Sequence, residues 1–167
     1  MKRLTLIRHG KSSWKDPDLD DIERPLNKRG KQDAPLMGER LARRGHLPDI
    51  ILSSPAKRAR KTAEAIAEKL GIPSSKQILE RAIYAAEPSE LLALVRRLEE
   101  DWQHVFLVGH NPGFTELGNL LADCGLDNLP TCGVLCLDFD VPTWKEVAPH
   151  GGTLVFLDYP KNPAADG

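Results

Sequence analysis

The chain has 167 residues, 41% of them hydrophobic and 28% charged, a composition that folds into a soluble domain and excludes a disordered chain. A formal net charge of −1 excludes a surface given over to nucleic acid or acidic membrane, yet leaves room for one small positive pocket. No apolar stretch approaches the roughly 18 residues of a membrane span, and residues 4–7 are too short for a signal-peptide core. A cytoplasmic location is therefore expected.

Leu4-Thr5-Leu6-Ile7 reads as a buried strand, and Arg8-His9-Gly10 follows where that strand surfaces. Asn27 caps a helix running to Arg44, with Ala34, Met37 and Leu41 on its buried side and Gly45 as its stop. Pro35 removes one backbone hydrogen bond from that helix and is expected to bend it. Residues 49–52 form a second strand ending in Ser53-Ser54-Pro55, where Ser54 caps and Pro55 opens a helix that Gly71 terminates. Ile78-Leu79 is a weak strand, and Leu91, Leu92, Val95 and Leu98 mark a helix after Pro88. Residues 104–108 form a third long strand ending in Gly109-His110-Asn111-Pro112, with Asn111 as cap and Pro112 opening a helix to Ala122. Residues 134–139 and 153–157 are two last strands that pair antiparallel at a sheet edge. Cys124, Cys132 and Cys136 have neither disulfide nor zinc spacing and read as small buried hydrophobes. The whole is one domain over residues 1–160, followed by a frayed tail, 161–167.

Strands alternating with helices define an α/β fold, a three-layer α/β/α sandwich with a mainly parallel sheet and an antiparallel edge. In such a sheet the strand carboxyl ends emerge along one edge, where ligands bind at a switch in strand order. Arg8, His9, Arg58 and His110 all follow strand ends and can converge there. Two guanidiniums, two imidazoles and helix N-termini suit an oxyanion, phosphate best of all.

The motifs support a family assignment. Leu6-Ile7-Arg8-His9-Gly10 resembles the signature of the histidine phosphatase superfamily, residues 53–63 its second block and Val108-Gly109-His110-Asn111-Pro112 its third. Arg24-Pro25-Leu26-Asn27-Lys28-Arg29-Gly30 and the short length resemble the SixA-like phosphohistidine phosphatase branch. The resemblance implies a phosphoglycerate mutase-like fold and a phosphatase in which His9 is transiently phosphorylated. Arg8, Arg58 and His110 would then hold the phosphoryl oxygens, and Gly10 would let the backbone approach them. Mutase-type relatives carry asparagine where Lys15 stands, a departure that argues against a mutase role.

No metal or cofactor is called for by this chemistry. The proton for the leaving group has two candidate sources, Asp21 in the acidic loop 16–23 and Glu87 before Pro88, or none; Asp21 is favoured, because standing three residues before Arg24 it matches an acidic position of the SixA-like pattern. A phosphorylated imidazole takes its proton on its other nitrogen and leaves without an acid. A protein-borne phosphohistidine is therefore the favoured substrate, with a small phosphorylated metabolite as the alternative. A phosphate-binding module without catalysis is the rival reading, and retention of His9 speaks against it. Histidines 9, 110 and 150 lack ligand spacing for a metal-dependent hydrolase, and residues 57–61 lack the aromatic platforms of a nucleic-acid module. Arg24 is placed to anchor the acidic loop or meet substrate. Trp14 and Trp144 are candidate walls of the entrance, Ser12 and Ser13 candidate phosphate contacts. His150 is within reach of the pocket or structural, and His46 and His104 are read as surface or cap residues.

Overall fold

The computed structural model describes residues 1–163, so the last four positions of the expected tail lie outside the described residues. Strands β1 (Lys2–Arg8), β2 (Ile50–Ser53), β3 (Gln77–Leu79), β4 (His104–Gly109), β5 (Val134–Phe139) and β6 (Gly152–Asp158) form one sheet in the order β3-β2-β4-β1-β5-β6. The first four in chain order run parallel, while β5 is antiparallel to both β1 and β6. Alternation along the strands builds two cores. Leu4, Leu6, Val105, Leu107, Leu135 and Leu137 face helices α3 (Pro88–Arg96) and α4 (Gly113–Ala122). Ile7, Ile51, Phe106, Val108 and Val134 face α1 (Lys28–Arg43) and α2 (Lys57–Leu70). The result is the three-layer sandwich that the alternation predicts.

Helix starts differ from the predicted positions in two places. α2 begins at Lys57, with Ala56 rather than Ser54 in the cap position. The Ser54 hydroxyl accepts from the Ala56 N–H at 3.2 Å, a local turn that delays helix entry. α4 likewise begins at Gly113 with Pro112 as cap, while Asn111 Oδ1 reaches into the first turn to accept from the Thr115 hydroxyl at 2.8 Å. α1 is capped as predicted, Asn27 Oδ1 accepting from the Gly30 N–H at 2.9 Å, and it continues through Pro35.

Other corrections concern side chains. His46 is buried, not on the surface, and Thr5 Oγ1 lies 2.9 Å from the Nε2 atoms of both His46 and His104. Trp144 is fully buried, its indole N–H donating to the Trp102 carbonyl at 2.8 Å, and forms no entrance wall. His150 pairs with Asp123 at 2.7 Å, beyond the end of α4 and away from the strand-end edge. Cys132 and Cys136 are buried and Cys124 is half-buried, all three as free thiols. Among the described residues no helix is long and apolar enough to cross a membrane.

The sheet order explains where a site forms. From β1 the chain crosses through α1 to β2, leaving β4 to insert later between them. β1 and β4 are therefore parallel neighbours, with Arg8 in register with Gly109. His9 and His110 leave the sheet side by side, at the kind of edge where open α/β sheets bind ligands.

Candidate active site

The strand ends open into a cavity of about 490 Å³ whose lining includes Arg8, His9, Arg58, His110, Asp21, Arg24, Trp14 and Tyr84. Segments distant in sequence thus converge as the topology predicts. The His9 N–H donates to the Gly109 carbonyl at 3.0 Å, and the Cys132 N–H donates to the His9 carbonyl at 3.1 Å, which fixes the backbone between β4 and the approach to β5. The rings of His9 and His110 lie 5.1 Å apart, centroid to centroid, inclined by 56°.

One contact sets the chemistry of His9. Its Nδ1 lies 2.6 Å from the Gly10 carbonyl oxygen. A carbonyl only accepts, so Nδ1 carries the proton and Nε2 keeps its lone pair. Burial pushes the His9 pKa down to about 4, with the Arg58, Arg8 and Arg24 cations acting in the same direction and the Gly10 carbonyl opposing them. His110 is pushed to about 3, first by burial and then by His9 and Arg58. Both imidazoles are therefore neutral at pH 7. His110 Nε2 lies 2.8 Å from the Ser54 hydroxyl, the same group that receives the Ala56 N–H, so the turn that delays α2 also orients this ring.

Gly10 does not offer a donor to the cavity. Its N–H donates to Thr62 Oγ1 at 3.0 Å and its carbonyl holds His9. Its absent side chain matters for packing instead: a Cβ there would sit 3.0 Å from the Cys132 sulfur and 3.1 Å from the Gly30 Cα. The expectation that Gly10 brings backbone to the phosphate is replaced by a positioning contact. Thr62 is one residue that sequence reasoning missed, and Tyr84 is another. Thr62 is buried, and its hydroxyl also donates to the Arg58 carbonyl at 2.8 Å, tying the His9–Gly10 loop to the helix that carries Arg58.

Asp21 sits at the centre of a cationic cluster. Arg58 Nη2 donates to its Oδ2 at 2.9 Å and Arg58 Nη1 to its backbone carbonyl at 2.7 Å. Arg24 Nη1 donates to Oδ1 at 3.0 Å, and the Tyr84 hydroxyl donates to Oδ2 at 2.6 Å. The Tyr84 hydroxyl, then Arg58 and Arg24, hold the Asp21 carboxyl well below the usual carboxylate range, and Asp21 in turn raises the pKa of Tyr84. At neutral pH Asp21 carries no proton to give. The other candidate, Glu87, precedes α3, where its backbone N–H donates to Glu90 Oε1 at 2.9 Å; it does not line the cavity. Arg24 holds the acidic loop through Asp21, and it also lines the cavity. Ser12 accepts from Arg24 Nη2, and the Ser13 carbonyl accepts from Arg24 Nε at 3.3 Å, so these serines anchor Arg24.

Arg8 is half-buried, with Nη1 donating to the Leu129 carbonyl at 3.0 Å and a buried Nε that has no partner among the described residues. Burial lowers its pKa from the ordinary arginine value. Three guanidiniums, two neutral imidazoles and an ionised carboxylate therefore share one opening. That arrangement has the chemistry to hold a tetrahedral oxyanion, and the unprotonated His9 nitrogen is the group within it that can act as a nucleophile. Among the described residues no group of three or more His, Cys, Asp or Glu side chains is arranged to hold a metal ion.

A mainly parallel α/β sandwich with paired histidines and arginines at its strand ends defines a class, and comparison with known proteins gives it a family. Residues 4–111 match the histidine phosphatase superfamily (branch 1). The chain belongs to that superfamily, and phosphatase chemistry is its reaction class. An uncharacterised protein of Mycobacterium tuberculosis (strain H37Rv) is 32% identical over 167 residues, covering 93% of this chain and 100% of its own. A SixA crystal structure from Agrobacterium tumefaciens superposes with a TM-score of 0.80 at 30% identity, over 95% of this chain and 98% of that one. A tungstate complex of the protein histidine phosphatase SixA shares the fold, with a TM-score of 0.80 and 22% identity, over 95% and 97% of the two chains. Within the superfamily the chain falls in the small SixA-like branch.

Proposed function

We propose that the protein is a metal-independent phosphatase that works through a phosphorylated His9 and removes the phosphoryl group from phosphohistidine on a protein. The observation that carries the reading is the 2.6 Å contact between His9 Nδ1 and the Gly10 carbonyl, which leaves Nε2 unprotonated beside the guanidiniums. In the first step the Nε2 lone pair attacks phosphorus, and the P–N bond to the substrate imidazole breaks with its electron pair on the departing nitrogen. The substrate ring, protonated on its other nitrogen, leaves as neutral imidazole. Arg8 and Arg58 take up charge on the equatorial oxygens, and His110, neutral, donates a hydrogen bond to one of them. Water then attacks phosphorus. The P–Nε2 bond breaks, the pair returns to His9, and the water proton leaves with solvent or phosphate.

The substrate preference follows from Asp21. An alkoxide leaving group needs a proton, and the carboxyl nearest the site is held ionised by Tyr84, Arg58 and Arg24. A phosphoimidazole supplies its own. Side-by-side turnover of an N-phosphorylated protein and a set of sugar and aryl phosphates tests this, with clear preference for an O-ester refuting it. The covalent step has its own test. Rapid mixing with substrate labels His9 in the native protein and nothing in His9→Ala, and turnover persists in a chelator. An unlabelled native enzyme that still turns over rules out the intermediate.

A further inference from the structure

Building on that reading, we infer that Trp14 is the platform on which the leaving group stacks, so that the preferred substrates carry phosphorus on an aromatic ring. Trp14 lines the cavity with His9 and Arg58, yet it is 75% exposed. Exposure of a single apolar side chain is by itself ordinary for a protein surface. The position of Trp14 is nonetheless built. Ser12 bridges to Leu26, the Ser13 N–H donates to the Pro25 carbonyl at 2.8 Å, and the Lys15 N–H donates to the Ser13 hydroxyl at 3.1 Å, so the backbone on both sides is held.

The ring orientation is set as well. The Arg24 guanidinium carbon lies 3.2 Å from the ring centroid. Arg24 is itself buried and bonded to Asp21, which is bonded to Arg58. One continuous set of contacts thus relates the indole plane to the phosphate position. With a cation on one face, the degree of exposure leaves the opposite face open. The open face suits a flat ring better than a second cation, because Arg24 already draws on the indole's π density. A ring bonded to the phosphorus held at Arg58 stacks there; a lysine- or arginine-borne phosphoryl group does not gain the same contact.

The test compares native protein, Trp14→Ala and Trp14→Phe on two substrate pairs. Phenyl phosphate against glycerol phosphate differ by a ring on oxygen, and phosphoimidazole against phosphoramidate differ by a ring on nitrogen. Trp14→Ala is expected to raise KM for the ringed member about three- to tenfold relative to the ringless one, with the effect on KM rather than kcat, and Trp14→Phe to restore most of it. Equal rises for ringed and ringless members, or no change in either pair, overturn the platform. A phosphohistidine-bearing protein is assayed alongside, and an effect of Trp14→Ala confined to it also overturns the platform, placing Trp14 against the partner's surface. If native protein turns over the O-linked pair and neither the N-linked pair nor the phosphorylated protein, the phosphohistidine reading fails while the platform is still decided by the O-linked pair. If native protein turns over the phosphorylated protein and neither small pair, the platform fails and the phosphohistidine reading stands.

Discussion

Replacing Thr62 by valine deletes one hydroxyl from a buried site without leaving a hole, because the two side chains have nearly the same shape. The hydroxyl accepts from the Gly10 N–H at 3.0 Å and donates to the Arg58 carbonyl at 2.8 Å. In the variant the Gly10 N–H is left buried with no acceptor, a cost of about 1–3 kcal/mol. For a chain of this size about 2 kcal/mol corresponds to a fall in Tm of roughly 4–8 °C. Urea unfolding measures the free energy and a thermal scan the Tm. Activity should fall as well, by about tenfold, because Gly10 also carries the carbonyl that orients His9. Thr62→Ser keeps the hydroxyl and is the control. A loss below about 0.5 kcal/mol in Thr62→Val, or an equal loss in Thr62→Ser, would show that the bridge between the nucleophile loop and α2 does not matter energetically.

NMR titration of the imidazoles should give His9 a midpoint near 4, and one near the ordinary value of 6.5 would remove the argument from burial and guanidiniums. Stability should decline as pH drops. His9, His46, His104 and His110 have folded values of about 4, 3, 4 and 3, so below about pH 6.5 the unfolded chain binds protons that the folded chain refuses. Stability is then lost between about pH 6.5 and 3, and a flat urea midpoint across that window contradicts the assignment. Gly30→Ala places a Cβ 2.3 Å from the Lys11 carbonyl oxygen and should cost about 1–3 kcal/mol or more; unchanged stability would mean the loop shifts freely. Asp21→Asn removes the anion between Arg24 and Arg58, and competitive inhibition by inorganic phosphate should tighten about threefold or more, a weakening being the contrary result.

Much of the architecture was legible because it rests on periodicity. β5 was read to the residue, and Gly71 ends α2 in a left-handed conformation that its lack of Cβ makes easy. Arg8, His9, Arg58 and His110 were found because strand ends in a parallel sheet share an edge, so topology alone predicts their meeting. The misplaced helix starts come from side chains that make local turns, a competition that residue preference does not decide. His46 follows Arg43-Arg44-Gly45 and reads as polar surface. Its burial depends on Phe106 and Phe156, whose rings lie 5.5 and 5.0 Å away only once β4 and β6 are in place. Trp144 likewise finds its partner 42 residues upstream. Thr62 and Tyr84 left one faint signal, the spacing of Thr62 one helical turn after Arg58, and Tyr84 left none.

Asp21 is the residue for which sequence and structure give the most different chemistry. As a loop carboxylate near a nucleophile it reads as a proton donor. In the folded site its oxygens are filled by Arg58, Arg24 and Tyr84, and its proton is gone. Its charge then does the work. With both imidazoles neutral, the floor of the cavity holds Arg8, Arg24, Arg58 and one carboxylate, with Lys11 exposed at the rim. The floor thus carries two net positive charges, the complement of a phosphoryl dianion. Three unopposed guanidiniums would strengthen the hold on the inorganic phosphate product along with that on the transferring group, and binding shared equally by product and transition state adds nothing to turnover. A carboxylate between two of them lowers that shared affinity while keeping both forks fixed in the direction the transition state requires. If the substrate is the phosphohistidine proposed above, the acidic loop contributes through charge balance and the leaving ring needs no acid from the protein.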